Sequence, residues 1–153
     1  AATPSSQRMQ LRSSHGVEII DDTWNANPDS MASSLETFAN MPSTGTRWLV
    51  LGDMLELGDI SEAAHASLDT QIAGNDIDTV FLAGREMTAL ATALPPAKLG
   101  GIADTVDGLL PIVLSGLQAG DIATVKASHG IGLSRIVKQL TDPAPVERAA
   151  NGT

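Results

Sequence analysis

The chain has 153 residues, 42% hydrophobic and 18% charged, which is enough for one core-forming domain and too little for a multidomain enzyme. Eighteen acidic against nine basic side chains leave a net charge of −9, which repels phosphate backbones and anionic lipid and disfavours nucleic-acid binding. Without cysteine there is no disulfide framework, thiol catalysis or zinc–thiolate site, and no apolar run approaches the roughly 20 residues of a membrane span.

The first ten residues lack the charged-then-apolar layout of a signal peptide, so a cytoplasmic location is expected. Residues 17–20 read as a strand, paired as a hairpin with residues 9–12 across Ser13-Ser14-His15-Gly16. A helix follows, with Asn27 at its N-cap, Pro28 in its first turn, Met31, Leu35 and Phe38 as its apolar stripe, and Pro42 beyond its end. Residues 47–51 form a buried strand, and a loop leads to a helix capped by Ser61 and striped by Ala64, Leu68 and Ile72.

Next come a strand over 79–83, a helix over 85–94, a break at Pro95-Pro96 and a weaker strand over 98–102. Asp104 is the expected cap of a helix carrying Val106, Leu109, Val113 and Leu117, with Pro111 kinking or shortening it. A strand over 122–125 and a helix striped by Leu133, Ile136, Val137 and Leu140 complete the order. Strands alternating with helices give an α/β fold: a three-layer α/β/α, Rossmann-like domain with a mostly parallel sheet and an antiparallel strand at the N-terminus.

Such sheets present ligands beyond the carboxyl ends of their strands, where three loops stand out. Asp21-Asp22-Thr23-Trp24-Asn25-Ala26-Asn27-Pro28-Asp29-Ser30 combines carboxylates suited to ribose hydroxyls, an aromatic face and a helix start; on composition alone, capping plus a packed Trp24 is the favoured reading. Gly52-Asp53-Met54-Leu55-Glu56-Leu57-Gly58 is either a substrate or domain-contact loop, or a turn tucking its apolar residues into the core. Lys126-Ala127-Ser128-His129-Gly130-Ile131-Gly132 offers a cation, a hydroxyl, an imidazole and a glycine turn, but fits neither the dinucleotide nor the P-loop pattern.

No metal site is expected: Glu62 and His65, at i and i+3, lack a second such pair and read as a surface pair near the helix start. A triad of Ser128, His65 and Asp53 lacks the nucleophile elbow of a hydrolase.

Taken in order, the three loops resemble those of the C-terminal domain of the Mur ligases, from about Arg8 to Leu140. Within that family the likeness is to the branch adding D-alanyl-D-alanine to UDP-N-acetylmuramoyl-tripeptide in peptidoglycan synthesis. Trp24 stands where the family more usually has Tyr, and His129 where it has Arg. The resemblance implies an ATP-dependent carbon–nitrogen ligase in which the UDP-sugar is held by an N-terminal domain, and the ATP phosphates and Mg²⁺ mainly by a central one. Residues 1–7 are then a linker remnant, 8–141 the domain and 142–153 a flexible tail, and the isolated chain is expected to be inactive.

By the same resemblance, Arg8 and Lys126 are catalytic, Asp22 holds the ATP ribose, and Trp24, Asn25 and Asn27 lie by the nucleotide. Asp53, Met54, Glu56 and Leu57 border the dipeptide site, with Ser128 and His129 also on the substrate. The alternative is a stand-alone α/β nucleotide- or anion-binding module without catalysis, which would contain a complete pocket of its own.

Overall fold

The computed structural model describes residues 10–14, 16–22, 28–42, 45–75, 77–126 and 132–141. Six strands form one sheet: β1 (Gln10–Ser14), β2 (Val17–Asp22), β3 (Arg47–Gly52), β4 (Thr79–Ala83), β5 (Leu99–Ala103) and β6 (Ile122–Lys126). Their spatial order is β1-β2-β6-β3-β4-β5, with β1 antiparallel to β2 and every other pairing parallel. The helices are α1 (Pro28–Ala39), α2 (Ser61–Ala66), α3 (Leu68–Ala73), α4 (Thr88–Ala93), α5 (Val106–Gly116) and α6 (Ser134–Thr141).

The period of two along each strand sorts the core into two layers. Ile20, Leu49, Leu51, Val80, Leu82 and Ile122 face Met31, Leu35 and Phe38 of α1, Leu68 and Ile72 of α3, and Leu90 of α4. Val17, Ile19, Trp48, Val50, Phe81, Ala123 and Val125 face Val106, Leu109 and Val113 of α5 and Ile136 and Val137 of α6. Both faces are thus covered, and β3, β4 and β6 are buried along nearly their whole length rather than at alternate residues. Trp48 and Phe81 stack with centroids 4.7 Å apart, and the indole rests on Gly116, where a Cβ would come within 2.4 Å of it.

Three helix boundaries depart from the sequence expectation. The helix expected from Ser61 is two, broken at Ser67, whose hydroxyl donates to the Ala64 carbonyl at 2.9 Å. Ser61 does not cap it, because its hydroxyl is committed to Glu86. The helix expected from Arg85 starts only at Thr88, and the backbone N–H groups of Glu86 and Met87 just ahead of it are met by a side chain from across the loop. Finally, α5 is capped by Thr105 rather than Asp104: Thr105 has extended backbone angles, and its hydroxyl accepts from the Gly108 N–H at 3.1 Å. The helix continues through Pro111 to Gly116.

Topology locates the ligand-binding edges. The chain leaves β2, β3 and β4 for the α1–α4 face but leaves β5 and β6 for the α5–α6 face. Outgoing loops therefore diverge beside β6 and again between β4 and β5, opening a crevice at the carboxyl edge in each place.

Candidate functional site

At the first divergence the Lys126 Cα pairs with those of Asp22 on β2 and Leu51 on β3. Lys126 is only 3% exposed, so an ammonium is held among the ends of three strands. A buried lysine is expensive to keep for packing alone, and this one sits at a divergence of strand ends.

One strand over, Asp53 follows β3 and is 7% exposed. Its Oδ1 accepts the Met87 N–H at 3.0 Å, and the Glu86 N–H also bonds to this carboxylate. Burial pushes the Asp53 carboxyl above its ordinary value of 3.8, against the lowering pull of those two backbone donors. The opposing wall has to be glycine: Gly84 has φ +116°, and a Cβ there would lie 2.3 Å from the Asp53 carboxyl carbon.

The next residue is tied as tightly. The Met54 N–H donates to His65 Nε2 at 2.9 Å, while His65 Nδ1 lies 2.7 Å from the Ser61 carbonyl oxygen. Ser61 Oγ donates to Glu86 Oε1 at 2.6 Å, closing a chain of contacts from α2 to the β4–α4 loop. Beyond this anchored root the loop rises to Leu55, which is exposed, and Glu56, which holds a left-handed φ of +65°. A non-glycine residue in that region is conformationally costly and tends to occur where function requires a particular geometry.

The second divergence holds a crevice of about 580 Å³, whose polar rim includes Asp53, Arg85, Glu86, Asp104, Asp107 and Arg135. Arg135 of α6 forms an ion pair with Asp107 of α5. Carboxylates and guanidinium groups around one small cleft suit a ligand carrying both a cation and an anion. A hollow of about 570 Å³ between α2 and α4 is lined by alanine and threonine together with Glu62, Arg85 and Glu86.

The structure brings together only part of the sequence-derived site. Lys126, Asp53 and Glu56 lie at the carboxyl edge, as does the backbone of Asp22 at the end of β2. Met54 is a correction: its side chain is 1% exposed and belongs to the core, and its N–H is taken by His65. Leu57 likewise packs partly against the core, so of the loop's apolar residues only Leu55 is presented outward. Arg8, Trp24, Asn25, Asn27, Ser128 and His129 lie outside the described residues.

His65 is a second correction. It is fully buried rather than a surface partner of Glu62, and with its Nε2 occupied it is not the base of a triad. Its burial was legible, because 65, 68 and 72 fall on one helical face. Arg85 and Glu86 were missed, since the expected helix start hid a loop there.

UDP-N-acetylmuramoyl-tripeptide–D-alanyl-D-alanine ligase of Bacillus subtilis is 34% identical over 86% of this chain, and that of Escherichia coli 32% identical over 81%. The chain spans about 30% of the length of the first and 27% of the second. Among solved structures, the MurF ligase of Thermotoga maritima in complex with ADP superposes over 87% of this chain and 30% of its own, with a TM-score of 0.74 and 27% identity. Acinetobacter baumannii MurF shares the fold at a TM-score of 0.76 and 24% identity, again over 87% of this chain and 29% of its own. Residues 7–129 match the family described as Mur ligase, glutamate ligase domain, and on that match the chain belongs to this family.

Proposed function

We propose that this chain is the carboxyl-terminal domain of an ATP-dependent ligase that joins D-alanyl-D-alanine to UDP-N-acetylmuramoyl-tripeptide. The observation that carries the reading is the convergence of Lys126, Asp22 and Asp53 at the ends of three adjacent strands, in a domain whose relatives are ligases of that name.

In the proposed reaction the tripeptide carboxylate attacks the γ-phosphorus of ATP, releasing ADP and forming an acyl phosphate. The dipeptide amine then adds to the acyl carbon, and the tetrahedral intermediate collapses with loss of phosphate. Such chemistry depends mostly on positioning and on electrostatic stabilisation of developing negative charge. Lys126 supplies a fixed cation for this, with Arg8 reaching the transferred phosphate. Asp22 accepts from the ribose hydroxyls, and Trp24, Asn25 and Asn27 flank the nucleotide. Asp53 and Glu56 border the dipeptide, aided by Ser128 and His129.

Closure of this domain over the rest of the ligase keeps water from the acyl phosphate. Mg²⁺ is held with the ATP phosphates, mainly by the central domain of the ligase. No described helix is long and apolar enough to cross a membrane.

The test is ATP-dependent phosphate release by the full-length ligase supplied with UDP-N-acetylmuramoyl-tripeptide, with and without D-alanyl-D-alanine. Release that requires the dipeptide is expected, and none from the 153-residue chain alone. A folded full-length protein that binds ATP but releases no phosphate would replace this reading with a non-catalytic binding module. Asp22→Ala is expected to raise KM for ATP, and an unchanged value would remove Asp22 from the ribose.

A further inference from the structure

We propose that His65 is a positioning residue: its neutral imidazole, with the hydrogen on Nδ1, locks the root of the Asp53–Glu56 loop and thereby sets the Asp53 carboxylate at the crevice between β4 and β5. The catalytic consequence rests on the ligase reading above; the lock itself does not.

The protonation state follows from the partners. A backbone N–H only donates and a backbone carbonyl only accepts, so the Met54 N–H at 2.9 Å requires a lone pair on Nε2, and the Ser61 carbonyl at 2.7 Å requires a hydrogen on Nδ1. No other tautomer, nor the doubly protonated ring, satisfies both. The Ser61 hydroxyl, 3.3 Å from Nδ1, gives its one hydrogen to Glu86 and can therefore only accept from the ring, which again requires the hydrogen on Nδ1.

His65 is 0% exposed, so water cannot substitute for either contact. An imidazole is well suited to the position because one rigid ring, fixed to its own helix through a carbonyl four residues back, delivers an acceptor to a loop eleven residues earlier in the chain. The consequence reaches the crevice through one peptide bond. Asp53 precedes Met54, and its carboxylate is held from the other side by the Met87 N–H and fitted against Gly84. With both ends pinned, the carboxylate has one position and Leu55 and Glu56 project from a fixed base. If the Met54 N–H is released, Asp53 is tied by its side chain alone.

Two substitutions separate this role from mere packing. His65→Gln retains an amide oxygen able to approach the Nε2 position, whereas His65→Leu fills similar space with no acceptor. Amide hydrogen exchange on the 153-residue chain is expected to quicken about tenfold or more for residues 54–57 in His65→Leu, with β3 and β6 amides unchanged, and to stay within about threefold in His65→Gln. In the full-length ligase, His65→Leu should raise KM for D-alanyl-D-alanine about tenfold while leaving KM for ATP in place, with Gln restoring most of the difference.

Nitrogen NMR of the unsubstituted chain should show a pyridine-type Nε2 and a protonated Nδ1, a readout independent of how well either variant folds. A protonated Nε2, equal loop exchange in the two variants, or exchange quickening across the whole sheet would each overturn the proposal. If the unsubstituted ligase releases no phosphate, the ligase reading fails, and the exchange and nitrogen data still decide whether His65 is the lock.

Discussion

The two edges of the sheet use similar side chains for opposite ends. At the amino edge Asp121, Arg47 and Lys98 fold back onto the backbone. Asp121, 8% exposed, accepts the N–H groups of Thr46 at 3.0 Å and Gln118 at 2.9 Å. The Arg47 guanidinium donates to the carbonyls of Phe38 and Met41 while lying 5.8 Å over the Phe38 ring, and Lys98 donates to the Ile77 carbonyl at 2.6 Å. At the carboxyl edge, Lys126, Arg85, Glu86 and Asp104 gather around strand ends and a crevice, and Asp53, which also accepts the backbone N–H groups of Glu86 and Met87, lines that crevice as well. A charge that closes a loop onto the backbone stabilises the fold, whereas one aimed into a cleft stabilises something that enters it.

Substitutions at the two edges should therefore fail differently. The largest effect is expected from Lys126→Met in the full-length ligase: kcat for dipeptide-dependent phosphate release should fall by about 10²- to 10³-fold, as when one preorganised charge-stabilising group is lost. A near-normal kcat would move Lys126 from the site to the scaffold.

Gly84→Ala should cost about 2–4 kcal/mol in urea unfolding, because the new methyl meets the Asp53 carboxylate at a φ of +116°. It should also weaken dipeptide use, since Asp53 is displaced. At the other edge, Asp121→Ala should cost about 2–3 kcal/mol by stranding two backbone donors, and leave both KM values intact. A changed KM there would break the division between the edges.

The smallest stability effect is expected at Asp53, where the pH dependence carries the information. Its folded pKa is raised, so the native state holds the proton more tightly than the unfolded chain. The stabilisation linked to it is therefore complete below the ordinary value of 3.8 and is lost as pH rises through the folded value. Asp53→Asn keeps an oxygen for the Met87 N–H and removes the buried charge. It should flatten this decline in a urea series across pH, hold or raise stability at neutral pH and raise KM for the dipeptide. A steeper decline would mean that the ionised form is stabilised in the folded chain.

Most of the architecture was legible because both signals that encode it are local. The strand at Thr79–Ala83 and the stripes of α1, α5 and α6 were read from apolar periodicity alone. The misjudged boundaries are those decided by a distant partner. Asp104 and Thr105 are both good capping residues, and only the extended turn from β5 chooses Thr105. Nothing near Glu86 and Met87 shows that their N–H groups are diverted to Asp53, more than thirty residues earlier.

The site divides in the same way. The sequence by itself determined the α/β alternation, the polar loops at strand ends and the motifs that resemble the Mur ligases, since each depends on residues close together in the chain. Tertiary structure alone decided that Met54 turns inward while Glu56 turns outward, that His65 is the partner of Met54, and that Arg85, Glu86 and Asp104 share a crevice with Asp53. Those facts depend on which strands become neighbours and which donors are left unpaired after they pair, and neither is written in the spacing of any one segment.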